Sequence, residues 1–158
     1  MNKKTRRVYL LWILFAEAVG ALSGWLSRDG MKLYNETVLQ PPLSPPMLVF
    51  PIVWGLLYAL MGISAARIWM APPSADRSRG LNLFFTQLIV NFFWSLIFFN
   101  AAAYGFAFLW LLLLWILVLL MILSFRKTDL TAGKLQIPYL IWLTFAAYLN
   151  LGVWILNR

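Results

Sequence analysis

Three apolar stretches of this chain each carry a tryptophan beside amides or a phenol at helical spacing. Trp54 and Tyr58 stand four apart; Gln87, Asn91 and Ser95 repeat that interval with Trp94 beside them; Trp142, Ala146 and Asn150 repeat it again, flanked by Phe145 and Leu149. Residues four apart share one face of a helix, so each stretch presents a stripe of ring faces and carboxamides. If the stripes converge, they enclose a cavity with π walls and a few polar groups to orient a guest, the usual make-up of a small-molecule site. The plainer reading of any one of these residues is packing, or an interhelical hydrogen bond worth about 0.6–2 kcal/mol. Taken together they favour a pocket.

Other chemistry is excluded by what the sequence lacks. The chain has no Cys and no His, which removes disulfides, thiol chemistry, the common zinc sites and His or Cys ligation of a haem iron. No metal site is expected and no cofactor is required. The only acid deep in an apolar stretch is Glu17. An ionised, unpaired carboxylate there costs at least about 2.5–3.5 kcal/mol, so Glu17 must face the interior or stay protonated. It is either a proton-coupled site, as in small multidrug exporters with a membrane-embedded Glu in the first helix, or a neutral acid bonded to a neighbouring helix.

The elements that must position these residues follow from composition. Of 158 residues, 63% are hydrophobic and 11% charged, against an apolar share of about 45–50% in soluble domains. Apolar runs long enough to cross about 30 Å of hydrocarbon lie at about 8–26, 48–70, 81–100, 103–125 and 135–156. The expected fold is an all-α integral membrane bundle of five helices forming a single domain. The fourth run, from Phe106 to Phe125, has no polar side chain before Ser124, so it reads as a wall facing lipid or another subunit. Its Trp110 and Trp115 read as packing.

Ten basic residues fall on one side of these spans, from Lys3 and Lys4 through Arg67, Arg77 and Arg79 to Lys134. Three, Arg28, Lys32 and Arg158, fall on the other. The asymmetry predicts a cytoplasmic N-terminus and an external C-terminus in a bacterial inner membrane. It also explains the net charge of +8 without nucleic-acid binding. The first connection, about 27–47, ends in Gln40-Pro41-Pro42-Leu43-Ser44-Pro45-Pro46. Four prolines hold such a segment near polyproline II, so Tyr34 and the Pro41, Pro42, Leu43, Pro45 and Pro46 stretch are read as a stiff lid over one end of the bundle. Gly20 and Gly24, four apart in the first span, permit close helix packing within the chain or across a dimer.

In order along the chain, Gly20-x-x-x-Gly24, the loop from Tyr34 to Pro46, Pro51-x-x-Trp54-Gly55-x-x-Tyr58, Gln87-x-x-x-Asn91-x-x-Trp94 and Pro138-Tyr139-x-x-Trp142-x-x-Phe145-Ala146-x-x-Leu149-Asn150 resemble the tryptophan-rich sensory protein or translocator protein family, also called the peripheral-type benzodiazepine receptor family. The match covers nearly the whole chain. The resemblance implies a five-helix membrane bundle, commonly a homodimer, whose cavity binds porphyrins such as protoporphyrin IX and synthetic benzodiazepine-type ligands. It assigns ligand contacts to Trp54, Asn91, Trp94, Trp142, Phe145, Ala146 and Leu149.

Bound porphyrin would then be held by stacking and by amides rather than through iron. The expected function is a receptor or translocator-like protein for a hydrophobic ligand, a tetrapyrrole above all, with the lipid bilayer as its other partner. Two alternatives stand beside it. One is light-dependent porphyrin degradation, in which Trp54 and Trp142 would be the catalytic residues; the other is proton-coupled export through Glu17. The lid departs from the family pattern, with Asn35, Leu43 and Leu48 where further Trp or Tyr are common and Gln40 where a basic residue is common. The C-terminal sterol motif loses its tyrosine around Leu151-Gly152.

Overall fold

A computed structural model describes residues 1–158. The elements are α1 (Lys3–Leu26), α2 (Arg28–Thr37), α3 (Val49–Met70), α4 (Ala75–Ser95, extended by a π turn Leu96–Asn100), α5 (Tyr104–Thr128), α6 (Leu130–Leu135) and α7 (Ile137–Leu156), with no strand. Five segments are long and apolar enough to cross a membrane: α1, α3, α4 with its π turn, α5, and α6 with α7. In the most apolar window of each, at most 39% of the residues are buried. Leu109, Leu113 and Ile116 of α5, all exposed, therefore face lipid or another chain.

The helices start earlier than hydropathy alone indicates because local caps set their ends. Asn2 Oδ1 accepts from the Thr5 amide at 2.8 Å, and Ser74 Oγ accepts from the Arg77 amide at 3.0 Å. Each supplies one of the partners that a first helical turn lacks. Lys3–Arg7 and Ala75–Gly80 are thus helical although polar, carrying α1 and α4 past the apolar runs. Asp129 caps α6 through the Ala132 amide (3.1 Å) and pairs with Arg67 of α3 (3.0 Å). With the bond from Ser64 Oγ to the Ala132 carbonyl (2.7 Å), this fastens α3 to the α5–α6 corner.

The closest helix crossing is not at the glycine pair marked by the sequence. A Cβ on Gly62 of α3 would stand 2.7 Å from the Ile13 amide nitrogen and 2.9 Å from the Trp12 carbonyl carbon, so α1 and α3 meet backbone to backbone there. Gly20 instead accommodates the Tyr58 ring of the same chain, while Gly24 has nothing within 4 Å of its Cβ position. Gly20 is a seat for a side chain and Gly24 borders open space, so within the chain the pair does not form a backbone-to-backbone helix seam.

The first connection also departs from the expected strap. Its first half is the amphipathic helix α2, with Asp29 favourably placed in the first turn and Tyr34 buried against Phe98 and Phe99. The proline half is tied to the end of α7: the Leu39 amide donates to Asn157 Oδ1 (3.0 Å), Asn157 Nδ2 donates to the Leu39 carbonyl (2.8 Å), and the Tyr148 hydroxyl donates to the Pro42 carbonyl (2.7 Å). Pro41 lies against Gly152, where a Cβ would come within 2.6 Å of it.

Candidate functional site

Because successive spans run antiparallel, the residues that end α1, begin α3, end α4 and end α7 gather at the α2 end of the bundle. Their side chains surround a cavity of about 530 Å³, within the usual range for small-molecule sites of about 300–1,000 Å³. Of the residues singled out by spacing, Trp54, Tyr58, Asn91, Trp94, Trp142, Ala146, Leu149 and Asn150 line it, as do Glu17, Gly20, Gly24 and Ser95. The three stripes do converge. No residue of α5 takes part. Its tryptophans are structural: Trp110 Nε1 donates to the Val90 carbonyl (2.7 Å) and Trp115 Nε1 to Thr144 Oγ1 (2.9 Å).

Two expected contacts are displaced. Gln87 is fully buried but lies a turn below the cavity, where its Oε1 accepts from the Tyr139 hydroxyl at 2.8 Å. Phe145 lies outside the lining and supports it, its ring 5.5 Å from that of Trp142. The prolines of the expected lid do not line the cavity either. Its roof is Met31 and Tyr34 of α2 with Met47, while Pro41, Pro42, Leu43, Pro45 and Pro46 lie outside the lining; of these, Pro41 and Pro42 rest on α7 through Gly152 and Tyr148. Leu43 is 81% exposed.

The floor is a hydrogen-bonded chain through three helices. The Tyr58 hydroxyl donates to Asn91 Oδ1 (3.1 Å), Asn91 Nδ2 donates to the Tyr139 oxygen (2.6 Å), and Tyr139 donates onward to Gln87. All four side chains are buried; such networks are costly to disrupt because an abandoned donor has no water to turn to. Nearer the roof, Trp94 Nε1 donates to Asn150 Oδ1 (3.1 Å), and Asn150 Nδ2 donates to the Tyr104 carbonyl (2.9 Å). Burial, reinforced by the Tyr104 phenol, pushes the Tyr34 hydroxyl up to about 12, so the roof phenol stays neutral at physiological pH.

The walls are rings. Trp54 lies tilted over Tyr58 at 5.7 Å, Phe50 meets Trp142 edge-on at 6.0 Å, and Trp94 stacks on Phe98 at 5.0 Å. Phe50, Phe98, Phe99, Met31 and Met47 line the cavity but were not singled out from spacing. The Met31 and Tyr34 pair, three apart in an amphipathic decapeptide, was the available signal for the roof. The π turn that carries Phe98 and Phe99 has no comparable mark in the sequence. Two enclosed polar atoms on the lining lack partners, Glu17 Oε1 and Trp142 Nε1.

A membrane bundle with an aromatic cavity beneath its first connection defines a class of receptor-like or translocator-like proteins, and the comparisons agree. The TspO/MBR family model matches residues 9–155. The chain is 33% identical to tryptophan-rich protein TspO of Chlorobaculum tepidum, over 99% of both chains. It is 37% identical to protein CrtK of Rhodobacter capsulatus over 78% of each, and 33% identical to the translocator protein of Ovis aries over 82% of this chain and 78% of that one. The chain belongs to the TspO/MBR family and is an integral membrane protein of this translocator or receptor-like type.

Proposed function

We propose that this protein binds a hydrophobic, planar ligand, a porphyrin such as protoporphyrin IX or a similar tetrapyrrole, in the cavity beneath α2. The observation that carries the reading is the lining itself: Trp54, Tyr58, Trp94, Phe98, Phe99 and Trp142 around about 530 Å³. Offset or edge-on ring contacts are worth about 0.5–1.5 kcal/mol each beyond their buried area, so a flat apolar macrocycle suits these walls. Asn91 is committed to the floor, and Trp142 on the wall carries an indole N–H without a partner. The test is a titration of detergent-purified protein with protoporphyrin IX in the dark, following tryptophan quenching. Saturable quenching is expected, weakened about tenfold or more in Trp142→Ala; non-saturable quenching alone would count against the reading.

A second reading, light-dependent breakdown of the bound porphyrin, is favoured by the position of both Trp54 and Trp142 on the cavity wall. Ring side chains supply no acid or base, so the reactivity would come from the ligand, light and oxygen. Illumination of the bound complex should then bleach the porphyrin spectrum, and Trp142→Phe should stop the bleaching while retaining dark binding. Bleaching at an equal rate in the variant would remove Trp142 from that role.

The basic side of the bundle is read as cytoplasmic, in a bacterial inner membrane, from the ten-to-three division of Lys and Arg. Because the chain has no cysteine, single replacements report its topology cleanly. Arg158→Cys should react with an impermeant maleimide in intact spheroplasts, and Lys3→Cys only after lysis. The reverse pattern would invert the assignment.

A further inference from the structure

On α1, Glu17, Gly20, Ala21 and Gly24 all line the cavity, as their three- and four-residue spacing on one helix face allows. Gly24, with nothing within 4 Å of its Cβ position, leaves space open on that face, while Gly20 seats the Tyr58 ring. Glu17 Oε1 is enclosed and unpartnered. The titratable side chains on the cavity are Glu17, Tyr34 and Tyr58, and neither Lys nor Arg is among the lining residues. The other acids are elsewhere: Asp76 and Asp129 face Arg79 and Arg67, and Asp29 and Glu36 belong to α2. The protein therefore holds one carboxylate against the guest space and supplies no cation to meet it.

An unpaired carboxylate at this depth is costly if ionised, and a positive charge brought by the guest removes that cost. The ring faces around it act in the same sense, since tryptophan and tyrosine attract cations through their quadrupoles. Tyr58 is adjacent, its ring seated on Gly20 one turn from Glu17, and Trp54 lies over Tyr58. We propose that Glu17 makes the cavity selective for planar aromatic ligands that carry a cationic nitrogen, with the rings against the tryptophans and the ammonium at the carboxylate. The selectivity rests on the reading of the cavity as an aromatic-ligand site and adds a charge preference to it. A carboxylate-bearing tetrapyrrole would be turned by the same group, its acidic arms toward the roof.

The test compares 1-pyrenemethylamine with 1-pyrenemethanol, which share a ring system and differ in charge, by energy transfer from tryptophan in a neutral detergent at pH 7. The readout is the ratio of the two affinities within each protein. In the wild type the amine is expected to bind at least tenfold tighter; in Glu17→Gln the preference falls below threefold, and Glu17→Asp retains part of it. An equal preference in wild type and Glu17→Gln, or none in the wild type while the alcohol still binds saturably, overturns the proposal and leaves the aromatic-ligand reading standing. Failure of both probes to saturate the wild type overturns the two together.

Discussion

Valine at position 62 is expected to destabilise the bundle by about 3 kcal/mol or more and to yield little monodisperse protein. Overpacking in a close-packed interior costs roughly 1–3 kcal/mol when side chains can give way. Here the obstacles are the Ile13 amide nitrogen at 2.7 Å and the Trp12 carbonyl carbon at 2.9 Å from a Cβ, and a helix backbone cannot swing aside as a rotamer can. Separating α1 from α3 would also disturb Trp12, whose ring meets Phe84 at 5.8 Å, Trp69 at 5.9 Å and Phe85 at 5.9 Å. The control is Gly24→Ala in α1, where nothing lies within 4 Å and alanine gains about 1 kcal/mol of helix propensity over glycine. Size-exclusion profiles and thermal midpoints of the two variants should diverge in opposite directions from wild type. A Gly62→Val protein as stable as wild type would show that the α1–α3 crossing is wider than described.

Asn91→Leu should cost about 2 kcal/mol, although leucine is the better residue for an apolar interior. The asparagine accepts from Tyr58 and donates to Tyr139, and its loss strands the hydroxyl of Tyr58, a buried residue. Leaving a buried donor without an acceptor costs about 1–3 kcal/mol, more than the average of about 0.6 kcal/mol found for interhelical bonds in membranes, because Tyr58 has no second acceptor in the structure. Removing the stranded hydroxyl in the double variant Asn91→Leu/Tyr58→Phe should recover at least half of the loss. Detergent unfolding titrations of the single and double variants give the coupling; strict additivity would mean that the two side chains do not interact.

The five spans were legible because lipid demands long apolar helices with their backbone bonds satisfied internally. The convergence of the Trp54, Asn91 and Trp142 stripes was legible because polar side chains avoid lipid. Spacing, however, gives a face and not a depth. Gln87 shares the stripe of Asn91 yet sits a turn lower, under the Tyr139 hydroxyl. Phe145 is next to Ala146 in sequence, but the 100° step between neighbours on a helix carries it off the lining. Hydropathy marks where hydrocarbon begins and not where a helix ends, so the caps at Asn2 and Ser74 extend α1 and α4 through charged turns.

A run of prolines does not say what it rests on. Asn157, Tyr148 and Gly152 at the end of α7 take the strap, and the roof passes to α2. Gly20 and Gly24 fit a packing motif, and only the position of Tyr58 reveals that one is a seat and the other an opening. Glu17 was legible as a side chain that must face the interior or stay neutral; that it faces the guest space without a partner required the neighbouring helices.

On the proposed reading, the ligand occupies the cavity between α1, α3, α4 and α7. Gly24 offers a direct way to test it, since it lines that cavity and has nothing within 4 Å of its Cβ position. A phenylalanine there fills guest space without first meeting a helix, and it replaces a poor helix former with a better one. The measurement is the dark affinity of Gly24→Phe for protoporphyrin IX beside its thermal midpoint. Binding weakened tenfold or more with the midpoint at or above wild type is expected; wild-type affinity in the folded variant would place the porphyrin outside this cavity.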